Sequence, residues 1–204
     1  YYGEVSRWWL RFIALNRVTQ QFGKVQTLPT DASVEKTVEL GGGGERPVYA
    51  LGPVHQVLLD AGDRLMGTDF DAVEARILDA MAQTTDRDAV DALKRDLGYV
   101  KPIAAVAKQS SAGIAYQAGQ VLYSHGRFEE ARPRLEAVIN NTPCTEEAAF
   151  SARLIVDSFT EEQDWSKVRQ YAALYAGKPL GLNCDGGGIS LSGLKDLEQR
   201  ARIK

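Results

Sequence analysis

Histidine and cysteine are scarce: two of each among 204 residues leave little room for a metal cluster. His55 and His125 stand 70 residues apart, each without a Cys or His nearby, so neither builds a metal site or a Ser-His-acid arrangement. Both are expected at the surface, His125 in a solvent-facing turn. Charge of one sign is lacking as well. The 24 basic and 27 acidic residues give a net charge of −3, which excludes a strongly basic nucleic-acid binder, though not a local patch. Long apolar runs are missing too: no segment approaches the roughly 18 to 20 residues that span a bilayer. The opening Tyr1-Tyr2-Gly3-Glu4 has neither a basic region nor a following apolar one, so it does not read as a signal peptide. It lacks an initiator Met and is expected to belong to a mature or trimmed piece of a longer product. What is present is ordinary for a soluble globular chain, with 44% apolar and 25% charged residues. That is enough apolar material for a core that needs no metal staple.

The hydrophobic pattern is helical almost throughout. From Glu4 to Gln21, Trp8, Trp9, Phe12, Ile13 and Leu15 form a wide stripe between Arg7, Arg11 and Arg17, which predicts a helix over 1–22 sandwiched between neighbours. Residues 23–53 read as a long loop or linker, punctuated by Pro29, Gly41-Gly42-Gly43-Gly44, Pro47 and Gly52-Pro53. Within it, Val34 to Leu40 alternates weakly and suits a short strand or an extended arm. The glycines are not read as a phosphate cradle, since no Gly-Lys-Ser/Thr follows and no clear strand precedes them. Residues 54–204 are expected to form one helical domain. Its helices start at Val54, at Phe70 behind an Asp69 N-cap, and at Asp86, the last of these ending at Gly98. After Lys101-Pro102 come helices over 103–124, 128–141, 146–159 and 165–176. A glycine-rich loop over 181–188 and a terminal capping helix over 192–203 close the chain. Short turns between helices of this length suggest stacked antiparallel pairs.

A repeat underlies this pattern. Gly126-Arg127-Phe128-Glu129-Glu130-Ala131 is echoed by Gln163-Asp164-Trp165-Ser166-Lys167-Val168, with the aromatics 37 residues apart. Asp69-Phe70-Asp71-Ala72-Val73 is a looser third copy. Gly119 and Ala131 are small where two helices approach closely, Phe128 is a wedge, and Pro143 closes the unit because it cannot continue a helix. On these residues the segment 112–145 resembles a tetratricopeptide repeat (TPR), and 148–180 resembles a second copy. Ala115 stands in place of the family's usual aromatic, Val156 in place of a small residue, and Pro133 is expected to kink the second helix or delay its start. The run Gly126 to Arg132 and the closing Val138-Ile139-Asn140-Asn141-Thr142-Pro143 are most similar to TPR proteins of bacterial cell envelopes. The resemblance implies an all-α fold, a right-handed α-solenoid of antiparallel helix pairs with the Gly-rich loop as an insertion.

In that family the first helices of successive repeats line a concave groove. The resemblance therefore places Tyr116, Gln120 and Tyr123, with Gly113 and Ser124, on a groove beside Phe150, Arg153, Asp157 and Thr160. Tyr116 and Tyr123 are seven residues apart and share one helical face. They suit recognition of a protein or peptide, or else they pack against the next repeat. Lys and Asn of the carboxylate-binding TPR domains are absent here. The implied function is a non-catalytic scaffold or adaptor, not an enzyme and without a cofactor, in a bacterial periplasm or cell envelope. The alternatives are a cytoplasmic location, and a helical accessory domain of a cell-wall enzyme whose catalytic part lies elsewhere. A third reading is peripheral membrane contact through Trp8 and Trp9.

Cys144 and Cys184 each follow the second helix of a repeat. Either they form a disulfide, which implies an oxidising compartment, or they are two free thiols in a reducing one. Asp69, Asp71 and Glu74 fit a helix N-terminus better than a calcium loop. Asn183-Cys184-Asp185-Gly186 fits a turn.

Overall fold

The computed structural model describes residues 2–22, 28, 29, 31–181 and 184. The expected terminal helix over 192–203 and most of the expected 181–188 loop lie outside them. The described residues form seven helices and a two-stranded sheet: α1 (Tyr2–Phe22), β1 (Val34–Glu39), β2 (Glu45–Tyr49), α2 (Pro53–Met66), α3 (Phe70–Gln83), α4 (Arg87–Ser124), α5 (Phe128–Asn141), α6 (Glu146–Glu161) and α7 (Trp165–Ala176). The chain divides into two compact units, one built from residues 1–23 and 57–111, the other from 24–56 and 112–204. This differs from the expected order of helix, linker and one helical domain, because each unit takes in two separated stretches of sequence.

In the first unit the wide apolar stripe of α1 is explained by Trp8. Its side chain is buried and stacks on Phe12 with 5.1 Å between ring centroids. Phe70 of α3 meets it edge-on at 5.3 Å, and its indole N–H donates to the Leu65 carbonyl of α2 at 3.1 Å. A buried indole needs such a partner. Trp8 is thus a core residue, and the Trp8-Trp9 membrane reading loses half of its anchor. Asp69 caps α3 as expected, its carboxylate accepting from the Ala72 N–H at 2.9 Å. Phe70, Val73 and Ile77 turn inward along α3.

The expected stop at Gly98 and restart after Pro102 are corrected: α4 is one helix of 38 residues with Pro102 inside it. Proline loses its own N–H bond and crowds the carbonyl four residues back. That residue is Gly98, whose missing Cβ leaves the backbone there easier to adjust. The Gly-Pro spacing that looked like a break is a matched pair inside a helix. Pro133 likewise sits within α5 without delaying its start at Phe128.

In the second unit, α5 and α7 have the expected bounds and α6 runs two residues further than expected. Thr145 caps α6 by accepting from the Ala148 N–H, and Asp164 caps α7 by accepting from the Lys167 N–H at 3.1 Å. Gly119 of α4 faces Leu135 of α5 so closely that a Cβ added to it would lie 2.5 Å from Leu135 Cδ2. We expect Gly119→Ala to cost about 1–3 kcal/mol through overpacking, despite alanine's better helix propensity. Gly113→Ala, where no described atom lies within 4 Å of the new Cβ, should be neutral or stabilising. Urea midpoints of the two variants check this; a Gly119→Ala protein as stable as the parent would show that the helices are not in close contact there.

The stretch 23–53 is not simply a linker. Val34–Glu39 pairs antiparallel with Glu45–Tyr49, opposing Val38 to Arg46 and Lys36 to Val48. The four glycines form the hairpin turn, closed by the Leu40 N–H donating to the Gly44 carbonyl at 2.7 Å, with Gly43 at φ +85°. The hairpin lies across the turns of both helix pairs. The Tyr49 N–H donates to the His125 carbonyl at 2.9 Å, and the Gly41 N–H to the Glu162 carbonyl at 3.3 Å. Arg46 pins it: its guanidinium sits 4.0 Å from the Phe128 ring centroid and donates to the Gly126 carbonyl at 2.6 Å.

Candidate binding face

The residues singled out from the sequence fall on two neighbouring helices of the second unit. Tyr116, Gln120 and Tyr123 lie on the last turns of α4, and Phe150, Arg153 and Asp157 lie on α6. Tyr116 and Phe150 bring their rings to 6.2 Å with a 32° tilt. The Tyr116 hydroxyl accepts from the Gln120 amide at 2.8 Å, one turn along the same helix. Tyr123 stacks at 5.0 Å on Phe128, so it is partly committed to holding α5. Phe150 is 46% exposed, whereas Tyr116, Gln120 and Tyr123 are half-buried. Arg153 reaches Asp157 at 3.5 Å across one turn of α6.

Electrostatics tie the two helices together further. Burial pushes the Tyr123 phenol up to about 12, and the carboxylates of Asp157 and Glu161 act in the same direction. Burial, then Glu147, raises the Tyr116 phenol as well. Asp157 is raised by burial, against the opposing pull of Arg153. Glu147 and Glu161 therefore belong to this face, although Glu146-Glu147 and Glu161-Glu162 read from the sequence as solvated caps at the ends of a helix. Their signal was available: Glu147, Phe150, Leu154, Asp157 and Glu161 follow a 3-4-3-4 spacing, which is one stripe of a helix.

Two further constellations were missed. The first centres on Glu162, which pairs with Arg132 and lies 3.9 Å from Arg46. Arg132 also donates to Ser158 Oγ at 2.9 Å and sits over the Phe159 ring at 3.9 Å. The second is a histidine pair. His55 and His125, expected at the surface, are both buried, and their rings meet edge-to-face at 4.5 Å. The turn that carries His125 is covered by the hairpin, which is why the solvent-facing expectation fails. His125 Nδ1 donates to the Val121 carbonyl at 2.7 Å, while its Nε2 is buried with no hydrogen-bond partner among the described residues.

Burial holds His125 below the ordinary imidazole value of 6.5, and the nearby charges of His55 and Arg127 act in the same direction. The folded state therefore binds this proton more weakly than the unfolded chain. The neutral ring carries no penalty above 6.5, and stability falls as the pH drops below it. We expect a lower urea midpoint at pH 5 than at pH 7.5. His125→Asn, which keeps a donor toward Val121, should flatten that slope; an unchanged slope would assign it to other groups.

Cys144 and Cys184 are joined in a disulfide, with their Cα atoms 5.3 Å apart. Among the described residues no group of three or more His, Cys, Asp and Glu side chains is placed to hold a metal ion. No described helix is long and apolar enough to cross a membrane. No family model, curated protein or solved structure matches the chain.

Proposed function

We propose that the protein is a non-catalytic scaffold or adaptor that binds another protein or peptide on the α4–α6 face, in the manner of a TPR-like groove within a bacterial cell-envelope assembly. The observation that carries this is the meeting of Tyr116 with Phe150, an aromatic pair left half in water on neighbouring helices. Large exposed aromatics cost solvation free energy and are typical anchors of an interface. The close approach of α4 and α5 at Gly119 and the turn at Gly126 are what a helix-pair repeat needs, and they favour the TPR-like reading. The Cys144–Cys184 disulfide suits a periplasmic or other oxidising location over a reducing cytosol.

A photocrosslinking amino acid at position 150 tests this reading. In envelope extract, position 150 should give a discrete adduct, and position 174 should not, although Leu174 on α7 is equally exposed at 47%. Adducts at neither position, or equal adducts at both, would remove the α4–α6 face as the binding surface.

A further inference from the structure

The charge on this face is mostly negative, and it comes from one side. Between Lys108 and His125 the sequence holds no charged residue, so the α4 wall is neutral, aromatic and amide-bearing. The α6 wall carries Glu147, Asp157 and Glu161 along the stripe that holds Phe150. Arg153 is the opposing charge, and its side chain is 73% exposed. An ion pair one turn apart with its cation largely in water is weak, so an incoming cation displaces Arg153 from Asp157 readily. Asp157 itself is half-buried beside Tyr123, in a place where its charge is poorly solvated. Phe150 shares the α6 stripe with these carboxylates, and Glu147 lies within electrostatic reach of Tyr116, a setting in which a guanidinium or ammonium gains from both carboxylate and π-system.

We propose that this face takes an extended peptide segment bearing lysine or arginine side chains interleaved with apolar ones. The proposal rests on the binding reading above and specifies its occupant. Dimensions follow from helix geometry. Glu147 to Glu161 spans about 21 Å at 1.5 Å per residue, the length of about six extended residues. Asp157 and Glu161 are about 6 Å apart along the helix, matching basic residues two positions apart in the peptide. The apolar side chain between the basic groups and Glu147 would meet Phe150 and Tyr116. An acidic peptide or a free C-terminal carboxylate is disfavoured, since Glu147, Asp157 and Glu161 outnumber Arg153 on this face.

An array of random twelve-residue peptides, probed with the full chain at low salt, tests the proposal. Bound peptides should be enriched in Lys or Arg, and a fluorescent member should lose at least tenfold in affinity against Asp157→Asn/Glu161→Gln. That double variant keeps size while removing the charge, and its urea midpoint should match the parent's. Affinity of the parent should also fall as salt rises, whereas that of the variant should respond less. Enrichment of acidic or neutral peptides whose binding is lost in Phe150→Ala would overturn the cationic occupant while leaving the face a binding surface. Binding unaffected by Phe150→Ala and by the double variant, or no binding at all, would overturn both readings.

Discussion

Reducing the Cys144–Cys184 bond should lower the stability of the protein by about 4 kcal/mol. The bond joins residues 40 apart, and closing a loop of that length removes about this much conformational entropy from the unfolded chain in the chain-entropy model. The closed segment contains α6 and α7, so the loss falls on the unit that carries the candidate face. Small domains have only about 5–15 kcal/mol in total, which makes this a large fraction. For a chain of this size it corresponds to about 8–16 °C in melting temperature. Urea unfolding of Cys144→Ser/Cys184→Ser beside the oxidised parent measures it. Alkylation and mass spectrometry of native protein check the state of the bond, and two modified thiols would contradict it. An unchanged urea midpoint in the double variant would show that the segment is held by its packing alone.

Gly126→Ala should be a severely damaging single methyl, costing about 2–5 kcal/mol. Two terms add. Gly126 sits at φ +71°, where an L-residue is strained by about 1–2 kcal/mol. A Cβ there would also lie 2.8 Å from the Pro47 carbonyl oxygen and collide with the Arg46 guanidinium. Backbone cannot yield as a side chain does, so overpacking adds about 1–3 kcal/mol. Gly43 separates the terms: it too has positive φ, at +85°, but no described atom lies within 4 Å of its Cβ position. Gly43→Ala should cost only the strain. In Gly126→Ala the hairpin should lift, opening the Lys36–Thr37 bond of β1 to trypsin and releasing the protection of the Tyr49 amide. Equal costs for the two variants would mean that the hairpin is not seated on the Gly126 turn.

Helices were legible wherever an apolar stripe followed a turn signal. Phe128–Asn141 and Trp165–Ala176 were read to the residue, because each starts after a turn and exposes the 3.6-residue period. The hairpin was not legible as a docked element. Five of the six β1 side chains are exposed, so alternation carries almost no hydrophobic signal. What seats the hairpin is Arg46 over Phe128, an interaction with no period along the sequence. Pro47 within β2 counts against a central strand but is tolerated at the edge of a two-stranded sheet. Gly98 and Pro102 misled for the opposite reason: each is a stop signal alone, while four residues apart they compensate. The aromatic part of the face was readable from the seven-residue spacing of Tyr116 and Tyr123. Its acidic part and the buried histidines depend on which helices become neighbours, and local spacing does not encode that.

The interleaving of the two units has a consequence for synthesis. The hairpin leaves the ribosome early, yet Arg46 must wait 80 residues for the Gly126 carbonyl that receives it. Gly41 waits longer still, until Glu162 has been made. At about 5–20 residues per second this delay is about 4–24 s. Throughout it, a strand pair with bare edges is held only by its own turn. Meanwhile residues 57–111 emerge and can close on α1, so the unit that begins the chain is completed before the one that contains the hairpin. A holding chaperone that recognises extended backbone has its window here, and slowing translation downstream of residue 56 would lengthen it.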